Sequence, residues 1–125
     1  MPEYEGGCHC GRVRLRISPP APIEFLLDCN CTICAKKGIL HIGLDPDQLT
    51  VLQGQEDIET YRFHSRIAEH SFCRHCGIHV YTRPRNNPAR RTVNARCLDD
   101  FANILAETPL RAFDGQNHPK DLPAP

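Results

Sequence analysis

The stretch Phe72-Cys73-Arg74-His75-Cys76-Gly77, FCRHCG, places two cysteines three positions apart and a glycine directly after the second. Two residues between cysteines allow a tight turn to direct both sulfurs at one ion ~2.3 Å away. The glycine permits the left-handed backbone that completes such a turn. Because a closed structural zinc site needs four ligands, this knuckle predicts half of one.

The number of cysteines raises the alternative of disulfides. The chain has eight cysteines in 125 residues. Its first residues, MPEYEGG, lack the basic start and the apolar stretch of a secretory signal, and no apolar run approaches the ~18 residues of a membrane span. We therefore expect a cytoplasmic protein. In that reducing compartment, closely spaced cysteines bind metal more often than they form disulfides.

A second cysteine pair, Cys8 and Cys10, lies just before the clearest strand pattern of the chain. Residues two apart in an extended segment point the same way, so both sulfurs can reach one ion. Joined with the knuckle, this pair would complete a four-ligand zinc site. Such a site would tie the N-terminus to the middle of the chain across ~65 residues.

Three further cysteines fall within six residues, in the segment CNCTIC that runs from Cys29 to Cys34. Cys29 and Cys31 have extended spacing, and Cys31 and Cys34 have knuckle spacing, so one loop can turn all three sulfurs onto one ion. Three protein ligands with one open position are typical of catalytic zinc, whereas closed four-ligand sites are structural. A second grouping stays open: Cys31 and Cys34 pair with the knuckle in a zinc ribbon, and Cys29 is a small buried hydrophobe.

The remaining sequence predicts one mainly-β domain over residues 1–125, with a loose tail at about residues 118–125. The tail has too little apolar surface to dock firmly. In residues 12–17 three arginines alternate with Val13, Leu15 and Ile17, which predicts a half-buried strand. Other strands are predicted at residues 23–27, 39–44, 49–52, 58–64, 68–73, 79–83 and 92–98, and helical turns at residues 32–37 and 99–105.

Several other cysteine and histidine residues are candidates for the metal sites. Cys97 lies in phase with Val93, and the pattern favours a packed strand residue over a ligand. His9 and His75 lie inside the metal turns, where a hydrogen bond to a thiolate is possible but an outward side chain is favoured. For His79, in a strand, the favoured interpretation is a satisfied core or surface histidine.

Charged residues near the cysteines supply further candidates. The candidate proton carriers are Asp28, Asp99 and Asp100. The loop RPRNNPARR can match the carboxylates of a ligand through guanidinium groups, although a solvated basic loop is favoured. Its candidate arginines are Arg83, Arg85, Arg90 and Arg91.

The segments GGCHCGRVRL, CNCTIC, FCRHCGIHVY, RTVNARCLDD and FDGQNHP, in this order, resemble the glutathione-dependent formaldehyde-activating (GFA) family. Its domain is shared with centromere protein V. The resemblance runs from about residue 6 to residue 119. It implies a β-tent of short antiparallel strands stapled by zinc, with a structural and a catalytic ion. It assigns the structural zinc to Cys8, Cys10, Cys73 and Cys76, and the catalytic zinc to Cys29, Cys31 and Cys34.

The activity for which the family is named condenses glutathione with formaldehyde and is classed with the carbon-sulfur lyases. The resemblance implies an enzyme similar to S-(hydroxymethyl)glutathione synthase, which joins or splits a small thiol, such as glutathione, and a small aldehyde. The alternative is a non-catalytic zinc-binding module that binds a macromolecular partner, as the kinship with centromere protein V would allow.

The charge balance bears on the partners. The chain has 15 basic and 15 acidic residues, and its formal net charge is zero. Seven thiolates around two Zn²⁺ ions would make the folded protein mildly acidic. We therefore expect neither nucleic-acid binding nor membrane binding. We expect the catalytic zinc to be the more easily lost of the two ions, because one fewer protein ligand holds it.

Overall fold

The structure is a computed structural model that describes residues 2–63, 66–85 and 87–115. The predicted strand end at residue 64 and the predicted tail at residues 118–125 lie outside the described residues. In the described part of the chain, short strands predominate and the helices are brief, which confirms the mainly-β prediction. No helix found there is long and apolar enough to cross a membrane.

The elements follow one another in quick succession. The strands are β1 (Tyr4–Gly7), β2 (Arg14–Ile17), β3 (Leu26–Cys29), β4 (His41–Leu44), β5 (Leu49–Gln53), β6 (Ile58–Tyr61), β7 (Glu69–Cys73), β8 (His79–Arg83), β9 (Arg91–Asn94) and β10 (Leu110–Phe113). The α-helices are α1 (Thr32–Lys37) and α2 (Phe101–Glu107), and 3-10 turns occur at Pro46–Gln48, Gln55–Asp57 and Ala95–Cys97.

The strands form a small and a large sheet. The small sheet has the order β1-β2-β5, and both of its strand pairs are antiparallel. The large sheet has the order β10-β3-β4-β9-β8-β7-β6. Strand β1 also contacts the chain after β9, through a bridge between Gly6 and Leu98. The two sheets are therefore joined near the N-terminus.

The edge strand β10 is absent from the sequence predictions and pairs with β3 in parallel. Its residues are mostly exposed, so no apolar pattern marks it. Strand β3 begins at Leu26, later than predicted, because its backbone partners begin at Pro109 and Leu110. Strand β1 was not predicted either, since its sequence YEGG is polar and rich in glycine.

The predicted strand at residues 92–98 ends early. Strand β9 stops at Asn94, whose side-chain oxygen accepts a hydrogen bond of 3.1 Å from the backbone N–H of Arg96. Such a local side-chain bond competes with the strand ladder and starts a 3-10 turn instead. Val93, Ala95 and Cys97 are nevertheless all buried.

The core is built on the alternating face of β2 that the sequence predicts. Val13, Leu15 and Ile17 are fully buried. The other fully buried large side chains include Leu26, Leu44, Val80 and Val93, which belong to the large sheet. The hydrophobic core is thus shared between the two sheets.

Replacing a core leucine tests this packing. We expect Leu15→Ala to lower the free energy of unfolding by about 2–5 kcal/mol, because it leaves a cavity under the small sheet. Leu52→Ala on the neighbouring strand β5 is the control, since Leu52 is 41% exposed and should change stability by less than about 0.5 kcal/mol. Urea denaturation of the zinc-loaded protein measures both values, and equal effects would contradict the assignment.

Candidate metal centres

Four cysteines meet where the two sheets approach each other. Cys8 and Cys10 follow β1 of the small sheet, whereas Cys73 ends β7 and Cys76 lies in the turn between β7 and β8. The four Sγ atoms lie within 4.8 Å of one another. The Cys8–Cys10 and Cys10–Cys73 sulfur distances are 3.5 and 3.7 Å. We call this set the four-cysteine group: Cys8, Cys10, Cys73 and Cys76.

These distances fit zinc and exclude disulfides. Four sulfurs at ~2.3 Å from one ion at the centre of a tetrahedron lie ~3.8 Å apart, close to the two measured values. A disulfide bond requires sulfurs ~2.05 Å apart. All eight cysteines of the chain are free thiols.

Local backbone geometry positions the four-cysteine group. Gly77 has the left-handed φ of 79° that the knuckle requires, and its N–H donates to the carbonyl oxygen of Cys73 at 2.8 Å. On the other side, the backbone N–H of Val13 donates to Cys8 Sγ at 3.3 Å. Hydrogen bonds from Arg12, first from its backbone and then from its side chain, lower the pKa of Cys10 to about 6. The surroundings favour the thiolate form that binds metal.

A separate set of cysteines lies where β3 leads into α1, and we call it the three-cysteine group: Cys29, Cys31 and Cys34. Cys29 ends β3, Cys31 caps the N-terminus of α1, and Cys34 lies inside that helix. Their Sγ atoms lie within 4.8 Å of one another, and no fourth metal-binding side chain among the described residues joins them. This grouping differs from the zinc ribbon that spacing alone leaves open.

Two backbone N–H groups donate hydrogen bonds to sulfur atoms of the three-cysteine group. The backbone N–H of Cys31 donates to Cys29 Sγ, and that of Cys34 donates to Cys31 Sγ, both at 3.5 Å. Hydrogen bonds from the thiols of Cys29 and Cys34 lower the pKa of Cys31 to about 2. The same contacts, first with Cys29 and then with Cys31, raise the pKa of Cys34. At neutral pH the group therefore favours one thiolate and two thiols. A bound cation is needed to stabilise three thiolates.

His41 in strand β4 was missed as a site residue, because an isolated histidine in an apolar run carries no spacing signal. Its Nε2 lies 3.2 Å from Cys34 Sγ, and its Nδ1 lies 2.8 Å from Thr92 Oγ1. Burial lowers the pKa of His41 to about 4, so the ring is neutral near pH 7. With a metal ion bound, Cys34 would be a thiolate that only accepts hydrogen bonds, and the ring proton of His41 would then belong on Nε2.

The chain after β10 covers one side of the three-cysteine group. The backbone N–H of Asn30 donates to the Phe113 carbonyl oxygen at 3.1 Å, and its side chain donates to Asp114 at 3.1 Å. Gly115 is buried against the cysteines, and a Cβ added there would lie 2.5 Å from Cys29 Sγ. Gly115 belongs to the segment FDGQNHP that carried part of the family resemblance, and residues 116–119 of that segment lie outside the described residues.

The structure places the other cysteine and histidine candidates away from metal binding. Cys97 is buried, donates to the backbone oxygen of His79 at 3.0 Å, and belongs to neither cysteine group. Burial raises its pKa to about 12, which fits a packed thiol. His75 is exposed and contacts Asp57 at 2.7 Å, and His9 is exposed. His79 is a satisfied core histidine, as the sequence favoured, with contacts to Thr82 and Lys37.

Two of the four candidate arginines are engaged in ion pairs. Arg83 pairs with Glu69, and Arg90 pairs with Asp45, both at 3.0 Å. Arg91 donates to backbone oxygens of its own loop. These contacts support the interpretation of a basic loop rather than a ligand site. Arg85 also has an interaction partner.

The acidic candidates lie on the surface. Asp99 forms an ion pair of 2.6 Å with Arg14. Asp28 is exposed in β3, and Asp100 is exposed at the start of α2, where it accepts from Asn103 at 2.6 Å. Neither of these two contacts directs a carboxylate at a cysteine sulfur.

The fold and the two cysteine groups define a mainly-β protein with two candidate metal centres. The family model for the glutathione-dependent formaldehyde-activating enzyme, GFA, matches residues 3–112, so the chain belongs to this family. The resemblance noted from the cysteine motifs is thereby confirmed.

Two comparisons extend this finding. A curated relative from Halomonas elongata, named "Putative glutathione-dependent formaldehyde-activating enzyme", is 35% identical over 81 residues, covering 58% of this chain and 50% of the relative. The chain thus spans about half the length of that relative. A crystal structure of a Rhodobacter sphaeroides protein is similar with a TM-score of 0.77 and 31% identity, covering 86% of this chain and 99% of that chain.

The close approach of Gly115 gives a test of the three-cysteine group. We expect Gly115→Ala to weaken zinc binding there by about tenfold or more, because the new methyl group displaces Cys29 and Cys31. Gly43→Ala is the control, since its methyl group would meet the flexible end of Arg90. Competition with a calibrated chelator measures the affinities. Unchanged zinc affinity in Gly115→Ala would contradict the packing described.

Proposed function

We propose that this protein is a zinc-dependent carbon-sulfur lyase of the S-(hydroxymethyl)glutathione synthase type, in which the three-cysteine group joins or splits a glutathione-like thiol and a small aldehyde. The family membership supports the reaction class. The observation that carries the proposal is the difference between the two cysteine groups. One offers four sulfurs to an ion, and the other offers three among the described residues.

The ligand count distinguishes the proposed roles. A tetrahedral ion in the four-cysteine group has a complete set of protein ligands, as in structural sites. Three protein ligands leave one position for a substrate, as in catalytic sites. The four-cysteine group joins segments of both sheets, which suits a structural role. The three-cysteine group comes from one short stretch of chain, so its ligands do not have to hold distant segments together.

Several features of the three-cysteine group suit the binding of a thiol substrate. Bound there, zinc would supply positive charge that favours the thiolate form of a thiol placed in the fourth position. Cys29 and Cys34 are buried, so the ligands are held with little access for water. His41 fixes the orientation of Cys34. Holding thiol and aldehyde side by side would remove much of the entropic cost of bringing two molecules together.

Adduct formation is the direct test of this function. A panel of thiols with formaldehyde and other small aldehydes is followed by proton NMR, with zinc-loaded protein. We expect the wild type to accelerate equilibration between the free thiol and aldehyde and their S-hydroxymethyl adduct, a hemithioacetal. In Cys31→Ser, which removes a ligand, this acceleration should fall by about 100-fold or more. Thr32→Ala, an exposed neighbour in the same loop, is the control and should stay active.

The outcomes separate an enzyme from a binding module. If wild-type protein with two zinc ions accelerates no thiol and aldehyde pair, the proposed activity is wrong. Retained acceleration in Cys31→Ser would also contradict it, since the reaction would then not depend on the three-cysteine group. A protein with one inert zinc ion and no thiol affinity would favour the non-catalytic module.

Graded metal removal gives a second test. We expect a chelator titration to remove zinc from the three-cysteine group first, because one fewer protein ligand holds it. Native mass spectrometry counts the ions, and Cys31→Ser, with only the four-cysteine group intact, shows which ion remains. Simultaneous release of both ions from the wild type would contradict the difference between the groups.

A further inference from the structure

A cleft of about 300 Å³ lies beside the C-terminal end of α1. Its walls include Lys37, His79, Asn94 and Arg96, together with the turn that follows the knuckle. Two of these side chains are cations, and none of the residues that line the cleft is acidic. The cleft is small for a whole tripeptide but large enough for one arm of a ligand.

The amine of Lys37 is held in this cleft by a neutral partner. Its Nζ lies 3.2 Å from His79 Nδ1, and His79 Nε2 lies 2.7 Å from Thr82 Oγ1. The protonated ammonium group of lysine only donates, so Nδ1 accepts and the ring proton is on Nε2, directed at Thr82. Burial and then the charge of Lys37 lower the pKa of His79 to about 2, consistent with a neutral ring. The positive charge of Lys37 is therefore positioned without being neutralised.

Arg96 contributes the second uncompensated charge. Its Nε donates to the carbonyl oxygen of Gly38 at 2.8 Å, and its guanidinium lies 5.2 Å from the centre of the Phe101 ring. These contacts fix the plane of the guanidinium and occupy Nε, and no carboxylate of the described residues pairs with Arg96 or with Lys37. By contrast, Arg83 and Arg90 are already paired with acids.

The cleft is close to the three-cysteine group. Lys37 lies three residues after Cys34 in α1, a rise of ~4.5 Å along the helix axis. Burial lowers the pKa of Lys37, and the nearby Cys34 opposes this lowering. A ligand bound at the cysteines would therefore have this pair of cations about one helical turn away along α1.

We propose that the cleft between Lys37 and Arg96 binds a carboxylate of the substrate, which makes the protein selective for acidic thiols over neutral ones. The identity of the ligand as a thiol rests on the proposed function, whereas the carboxylate site rests on the cleft itself. Arg96 presents a planar donor group that matches a carboxylate, and Lys37 adds a second charged donor.

S-methylglutathione tests the cleft without the reaction, because its sulfur is blocked while its carboxylates are intact. Isothermal titration calorimetry is carried out with the full, zinc-loaded chain. We expect saturable binding that weakens about tenfold or more in Lys37→Met and in Arg96→Gln, and that is lost when both carboxylates of the ligand are esterified. Lys37→Arg keeps the charge and should retain binding within a few-fold.

Two variants control for general charge. Lys36→Met removes the exposed neighbouring lysine, and Arg111→Gln removes an exposed arginine that stacks on Phe25 as Arg96 stacks on Phe101. Both should bind S-methylglutathione within about twofold of the wild type. Equal losses in the control variants, equal binding of the esterified ligand, or no binding by the wild type would overturn the proposal.

The test also separates this inference from the proposed activity. If the wild type accelerates adduct formation but S-methylglutathione binds equally to Lys37→Met, the carboxylate site is wrong and the activity stands. If binding depends on Lys37 and Arg96 but no thiol and aldehyde pair reacts faster, the carboxylate site stands and the activity is wrong.

Discussion

Four cysteine sulfurs converge between the two sheets and bring distant segments of the chain together. Sulfurs 3.5 and 3.7 Å apart need protons or a cation between them, because several thiolates at this distance repel one another. The group brings the segment after β1 to the turn between β7 and β8. A zinc ion there would thus link the sheets directly, in a protein that has no tryptophan and only eight Phe and Tyr residues.

The three-cysteine group also brings thiol groups together, but its residues are positioned in a different way. Its sulfurs come from one loop and one helix N-terminus, so their positions depend on local backbone geometry. Parts of the chain far away in sequence then complete the surroundings: His41 contacts Cys34, and Gly115 packs against Cys29. We propose that this division leaves one ion for the fold and one for the substrate.

The sequence predicted those elements whose structure is determined by residues close together in the chain. The alternation of Val13, Leu15 and Ile17 predicted a buried strand face, and the knuckle predicted the left-handed Gly77. The helix at residues 32–37 was predicted where α1 is found. The spacing of the cysteines suggested two groups, and the structure brings the same residues together.

Features that depend on distant pairing were not predictable from one sequence. Strand β10 is recognisable only by its parallel partner β3, since most of its side chains are exposed. The approach of Lys37 to His79 joins residues 42 positions apart, and neither residue has a distinctive spacing. Arg96 was read as part of a strand, whereas the 3-10 turn started by Asn94 places it beside the cleft.

Cobalt substitution can distinguish a closed from an open metal centre. Co²⁺ replaces zinc in sulfur sites and reports its ligands through visible absorption. We expect two Co²⁺ ions per chain with tetrahedral spectra, of which one changes saturably when a thiol is added and the other does not. That change should be absent in Cys31→Ser. Binding of a single Co²⁺ ion, or two ions whose spectra are both unaffected by thiol, would contradict the assignment of one closed and one open metal centre.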